Sequence, residues 1–196
     1  MKRFIASMTL TTLLMATITS VWASSAAETL VKETTDKVLQ ALKTDSSQVN
    51  TLVEKIVLPH FDFQRMSKLV LGKNWKSTTA DQRNRFANEF KGLLVRTYAA
   101  ALVETAKQVG KIDYASISQD AKRATVAAKV YQIGKATPLE VEYAMYYYQG
   151  QWQVYNVNVG GVSLVTNYRT EFANDIKTMG IDGLINKIKT QNREKS

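Results

Sequence analysis

The chain of 196 residues contains no cysteine. That absence excludes a disulfide, a thiolate nucleophile, a zinc–thiolate site and an iron–sulfur cluster within it. It has a single histidine, His60. A multi-histidine metal site is therefore excluded, and Ser–His catalysis would have to run through that one imidazole. Following Pro59 at a helix break, His60 reads as a capping or packing residue. Pro59 and Pro138 are the only prolines. With no internal repeat and no Pro-, Gly- or Ser-rich linker, the economical reading is one domain. A phosphate loop is also missing: Gly160-Gly161-Val162-Ser163 has neither the lysine nor the spacing of one and reads as a tight strand-to-helix turn. The amides at that helix start could still hold a phosphate group transiently.

What is present is an ordinary folded-domain composition, 45% hydrophobic and 22% charged, with a formal charge of +9 from 26 basic and 17 acidic residues. The basic residues are spread out, and no basic–aromatic motif marks a nucleic-acid binder, so nucleic acid is not expected as a partner. Arg83, Arg85, Lys91 and Arg96 fall on one long helix. They read either as a solvated surface or as a mild positive field toward anionic headgroups or acidic partners.

The N-terminus has the form of an address. Lys2 and Arg3 precede an uncharged, hydroxyl-containing stretch from Phe4 to Val21. Val21-Trp22-Ala23 then offers small residues at the −3 and −1 positions. The pattern predicts a signal peptide over residues 1–23 and an exported, soluble domain over 24–196. Five threonines and two serines make the stretch a poor membrane anchor, and without a cysteine after it lipid anchoring is excluded.

Hydrophobic spacing predicts helices over Ala27–Thr44, Val49–Leu58 and Phe61–Leu71, the last ending at Gly72. Thr79 with Gln82 is a capping-box signature opening a helix to about Lys107. After Gly110 the period becomes two, giving strands over Ile112–Ser118, Ala124–Ile133, Leu139–Gln149 and Trp152–Val159 with short links. Val162–Met179 and Ile181–Gln191 are helices divided by Gly180. Segregated helices and a meander predict an α+β fold: an antiparallel four-stranded curved sheet with several helices on its concave face, enclosing a hydrophobic cavity.

The third strand alternates clearly. Leu139, Val141, Tyr143, Met145 and Tyr147 share one face; Glu140, Glu142, Ala144, Tyr146 and Tyr148 share the other. The apolar face is either plain core or the wall of a cavity, and small residues at Ala99–Ala101 and Ala127-Ala128 leave room for one. No inward carboxylate accompanies the tyrosines, so catalytic residues and a metal site are not assigned.

Several segments together carry a resemblance: Leu58-Pro59-His60-Phe61-Asp62-Phe63, Leu69-Val70-Leu71-Gly72-Lys73-Asn74-Trp75, Thr79-Ala80-Asp81-Gln82-Arg83 and Phe86 through Tyr98. They continue with Trp152-Gln153-Val154-Tyr155, Gly161-Val162-Ser163-Leu164 and Gly180-Ile181-Asp182-Gly183-Leu184. In this order and spacing, over about Ala27 to Lys189, the chain resembles the MlaC family, also called the toluene-tolerance family. The resemblance implies a periplasmic phospholipid carrier of a Gram-negative bacterium, a soluble monomer that is not an enzyme. Phospholipid is its cargo and no cofactor is needed. The pathway implied maintains outer-membrane lipid asymmetry. The partners implied are an outer-membrane lipoprotein–porin complex and an inner-membrane ABC transporter complex, met through its substrate-binding subunit. One departure is Asn156, where the family usually has Asp.

The residues expected to line the acyl-tail cavity are Met66, Leu69, Leu71, Leu94, Val141, Tyr143, Met145, Tyr147 and Leu164, from strand alternation and helix spacing. The resemblance adds Tyr98 and Val162. Two other readings use the same fold: an exported small-molecule hydrolase or isomerase with a polar cavity, and a periplasmic adaptor that binds only proteins.

Overall fold

Residues 18–194 are described by a computed structural model. The expected signal peptide lies, over residues 1–17, outside the described residues. Helix α1 (Ile18–Thr44) is followed by a short α2 (Val49–Leu52), a π turn (Val53–Val57) and a 3₁₀ turn (Leu58–His60). The helix expected over Val49–Leu58 thus loosens and then tightens. The tight turn runs through Pro59, which as an early residue of it needs no amide to donate, before the chain becomes extended at Phe61.

Helix α3 (Phe63–Leu71) starts two residues later than its apolar spacing predicts. Phe61 forms a parallel bridge with Val154, and the Arg65 amide donates to the Asp62 carboxylate at 2.8 Å, making Asp62 the N-cap. A 3₁₀ turn over Gly72–Ser77 leads to α4 (Ala80–Gln108). Its capping box is complete: the Gln82 amide donates to Thr79 Oγ1 at 3.1 Å and the Thr79 amide to Gln82 Oε1 at 3.0 Å.

Strands β1 (Val109–Asp120), β2 (Arg123–Gln132), β3 (Leu139–Tyr148) and β4 (Gln151–Val159) form the expected antiparallel meander. A fifth strand, β5 (Val162–Ser163), adds two residues to the edge of β4. The sequence predicts helix from Val162. Instead the helix waits for Ser163, whose hydroxyl accepts from the Thr166 amide at 3.2 Å and caps it. Helix α5 (Leu164–Glu194) then runs to the end of the described residues, broken at Gly180. There φ is 71° and ψ 179°, a backbone that only glycine adopts readily, so the predicted division into two helices is present.

Two apolar clusters result. α3, α4 and α5 close around Phe86, Phe90, Tyr168, Phe172, Leu184 and Ile185, all buried. The second cluster joins Ala27 and Val31 of α1 to Val126, Met145, Trp152 and Val154 of the sheet. The architecture is α+β, an open antiparallel sheet packed against helices.

Candidate functional site

The two clusters do not meet everywhere. Between them lies a cavity of about 340 Å³, within the range of small-molecule sites. Each wall follows from local sequence. On α1, Leu30, Val31, Thr34, Thr35, Val38 and Leu39 recur at helical spacing. On α4, Leu94, Tyr98, Ala101, Leu102 and Thr105 do the same. The sheet presents Leu139, Val141, Tyr143 and Met145 from β3, together with Val154, Val157 and Val159 from β4. Val57, Leu58, His60, Phe61, Phe63 and Met66 close the remaining side.

The lining is apolar in practice even where it is nominally polar. Thr35 turns its hydroxyl to the Val31 carbonyl at 2.8 Å, which satisfies that group within the helix. The Tyr143 phenol is pushed up to about 12, by burial first and then by the neighbouring Tyr114, so it stays neutral. His60 is the one imidazole of the wall. Burial, and then the charge of Lys37, hold it below its ordinary value, so it too is uncharged at neutral pH. Among the described residues no group of three or more His, Cys, Asp or Glu side chains is placed to hold a metal ion. Such a surface excludes water and accepts hydrocarbon without regard to head chemistry.

Of the eleven residues expected to line a cavity, Met66, Leu94, Tyr98, Val141, Tyr143, Met145 and Leu164 are brought together here. The other four stand elsewhere. Leu71 is buried within the helical cluster and Leu69 packs against that cluster. Tyr147 lies one step beyond Met145 on the same strand face and rests on Trp152, ring centroids 5.6 Å apart. Val162 pairs with Val159 and so continues the row Ala128–Val141–Val159 onto β5, where it is 56% exposed. It marks the rim of the row, not the lining.

The α1 wall escaped the sequence reading. Its periodicity was visible over Ala27–Thr44, but a single amphipathic face does not say whether it covers a filled core or a hollow one. The π and 3₁₀ turns, Val53 to His60, show a helical apolar spacing in the sequence, but nothing in it says that this face closes a hollow.

Near the end of α5's first turn, Asn156 Oδ1 accepts from Ser163 Oγ at 3.1 Å and from the Val165 amide at 3.2 Å. The neutral side chain therefore caps the helix that follows the cavity's edge.

Comparison with known proteins bears on this geometry. The family model described as MlaC protein matches residues 32–190. The intermembrane phospholipid transport system binding protein MlaC of Haemophilus influenzae is 28% identical over 149 residues, which span 75% of this chain and 70% of that one. The toluene tolerance protein ttg2D of Pseudomonas putida is 30% identical over 161 residues, 78% of this chain and 74% of its own. Among solved structures, a phospholipid-binding protein from Ralstonia solanacearum in complex with a phospholipid superposes with a TM-score of 0.75 at 28% identity, covering 86% of this chain and 97% of that chain. With the matched segment containing the α1 wall from Thr34 onward, both turns, the sheet and all but the tip of α5, the chain belongs to the MlaC family.

Proposed function

We propose that this protein is a phospholipid carrier that holds acyl tails in the cavity between α1, α4 and the sheet. The observation that carries the reading is a dry apolar hollow in a chain whose structural relative is described with a phospholipid bound. The energetics fit. A buried methylene is worth about 0.8 kcal/mol against water, so a tail of roughly 16 carbons gains about 12 kcal/mol on leaving it. A tail in water is prohibitive, whereas exchange between bilayer and cavity is close to balance. Loading and unloading then need no energy source in this chain, and direction comes from partners.

In this reading residues 1–23 export the protein and residues 24–196 form one lipid-binding domain in the periplasm. The domain shuttles phospholipid between an outer-membrane lipoprotein–porin complex and the substrate-binding subunit of an inner-membrane ABC transporter complex. No helix among the described residues is long and apolar enough to cross a membrane, which agrees with a carrier that leaves the bilayer.

The test is native mass spectrometry of the mature protein purified without detergent, followed by organic extraction and lipid identification. A stoichiometric phospholipid adduct is expected. A bare protein would return the hydrolase and adaptor readings to the front.

A further inference from the structure

A second concavity lies away from the tail cavity, at the end of the sheet formed by the β1–β2 turn. It is an open groove of about 490 Å³. Asp120, Lys122 and Arg123 of the turn supply one side, Tyr146 and Tyr147 at the end of β3 another, and Arg65 of α3 the third. Three cations and one carboxylate therefore face a single groove.

The carboxylate is already engaged. Asp120 accepts from the Lys122 amide at 2.8 Å and pairs with Arg123 at 2.7 Å, which shapes the turn and leaves the groove a net cationic character. Arg65 is held in place. Its guanidinium lies 4.0 Å from the centre of the Tyr146 ring and 4.8 Å from that of Tyr155. Tyr146 in turn donates its phenol hydroxyl to Asp62, the cap of α3. A stacked, half-buried arginine has little left to lose in entropy when it meets an anion, and its planar fork suits a carboxylate. Beside it Tyr147, 41% exposed, offers an aromatic surface laid over Trp152.

The other end of β3 shows that this is not a general property of the face. There Glu140 meets Lys129 at 3.4 Å and Glu142 accepts from the neutral amide of Asn158 at 2.9 Å, so these side chains carry no excess of positive charge. Net positive charge is concentrated where the aromatic rings are.

We infer that this groove docks an acidic segment of a partner protein, its carboxylates on Arg65, Lys122 and Arg123 and an apolar side chain against Tyr147. Charge complementarity selects an anionic occupant. The groove is open, but its cations come from three separate elements, the turn, β2 and α3, and Arg65 lies between its own stacking rings; a peptide side chain lying along the groove reaches it, which favours a protein segment over a plane of headgroups. The site is independent of the tail cavity, so its occupant and the lipid are held at once.

The test uses the full purified protein and short fluorescent peptides with several Glu residues around a central Phe, beside counterparts with Gln at every Glu. Fluorescence anisotropy reads binding, and native mass spectrometry of the same samples reads lipid content. The Glu peptide is expected to bind about tenfold or more tightly than the Gln peptide, with affinity falling as salt rises. Lys122→Gln with Arg123→Gln, both exposed turn positions, is expected to lower that affinity about tenfold while lipid content stays unchanged. Equal binding of the two peptides, no binding, or an unaffected double variant would overturn the inference. So would displacement of the peptide by phosphatidylcholine–phosphatidylglycerol vesicles but not by phosphatidylcholine alone, which would give the groove to a membrane. Absence of lipid from the unaltered protein, with peptide binding as expected, would count against the carrier reading alone.

Discussion

The helical cluster and the tail cavity are built from similarly apolar sequence, yet one is full and the other is hollow. In the helical cluster, rings interlock. Phe86 and Phe172 stand edge to face at 5.9 Å, and Phe90 meets Tyr168 at 5.3 Å. In the cavity the rings of Phe61, Phe63, Tyr98 and Tyr143 are spread among mostly aliphatic or small residues, with Ala99, Ala101 and Ala106 on α4 and Val141, Val154, Val157 and Val159 on the sheet. Hydrophobicity sets neither outcome. What differs is whether each wall finds partner atoms across the gap, since a surface without them forfeits its dispersion contacts. The full region is complete within the chain. The hollow one leaves room for a guest.

The comparison can be broken most severely by emptying the full side. Phe90→Ala removes a ring in contact with three others and is expected to cost about 3–5 kcal/mol. The melting midpoint should fall by about 6 °C or more, read by calorimetry. A shift of a degree or two would mean that the helical cluster is not close-packed.

Filling the hollow side is the converse. Val141→Trp places an indole in the cavity from the middle of β3. Co-purified lipid is expected to fall about tenfold or more, with the fold retained by circular dichroism. Undiminished lipid content would show that tails lie elsewhere. In the same assay Val162→Glu is expected to lower lipid content less than Val141→Trp does, without unfolding, because Val162 stands at the exposed rim of the row and not in the lining.

A gentler change acts through pH. The His60 imidazole titrates lower in the folded chain than in the unfolded one, because burial and Lys37 oppose its charge. The unfolded chain therefore binds the proton first as pH falls below about 6.5. Its stability contribution is complete above that pH and is lost between that value and the lower folded one. His60→Gln should flatten this part of the stability curve, measured by denaturant titration at successive pH values. An unchanged slope would place His60 outside the cavity wall.

The smallest effect is expected at Asn156→Asp. The carboxylate would make both capping hydrogen bonds charge-assisted and face the positive end of α5, for a gain of about 0.5 kcal/mol. A lower melting midpoint would show that the contact of Asn156 with Asn158 outweighs the cap.

How far the sequence shows all this depends on whether a feature is local. The capping box at Thr79, the break at Gly180 and the alternation of β3 each follow from a few neighbouring residues, and the structure contains them. Two of the features that were not legible depend on what comes alongside. Tyr147 keeps its strand face but lies beyond the last row the cavity uses. Val162 joins a strand only because β4 offers two open partners. Leu71, by spacing alone, is indistinguishable from a cavity residue, and the helix that buries it starts nearly a hundred positions away. The α1 wall was legible as a helix and not as a wall.

The edges of the sheet have a consequence for how the protein meets a second copy of itself. The outer edge of β4 is occupied at one end by Phe61 and by the Asp62 amide, which donates to the Val154 carbonyl at 2.9 Å. At the other end it is occupied by β5. A bulge between these, with Tyr155 as the extra residue opposite Ala144 and Met145, bends the strand. The opposite edge, β1, has register shifts near both ends and carries Lys111 and Asp113. The β4 border therefore presents no long flat row of open amides and carbonyls to a second copy, and the longer run of β1, residues 111–118, is bounded by irregularities and charged at its start. A chain with a greasy hollow and 45% hydrophobic residues is thereby protected from strand-to-strand polymerisation, and its encounters are left to surfaces chosen for recognition.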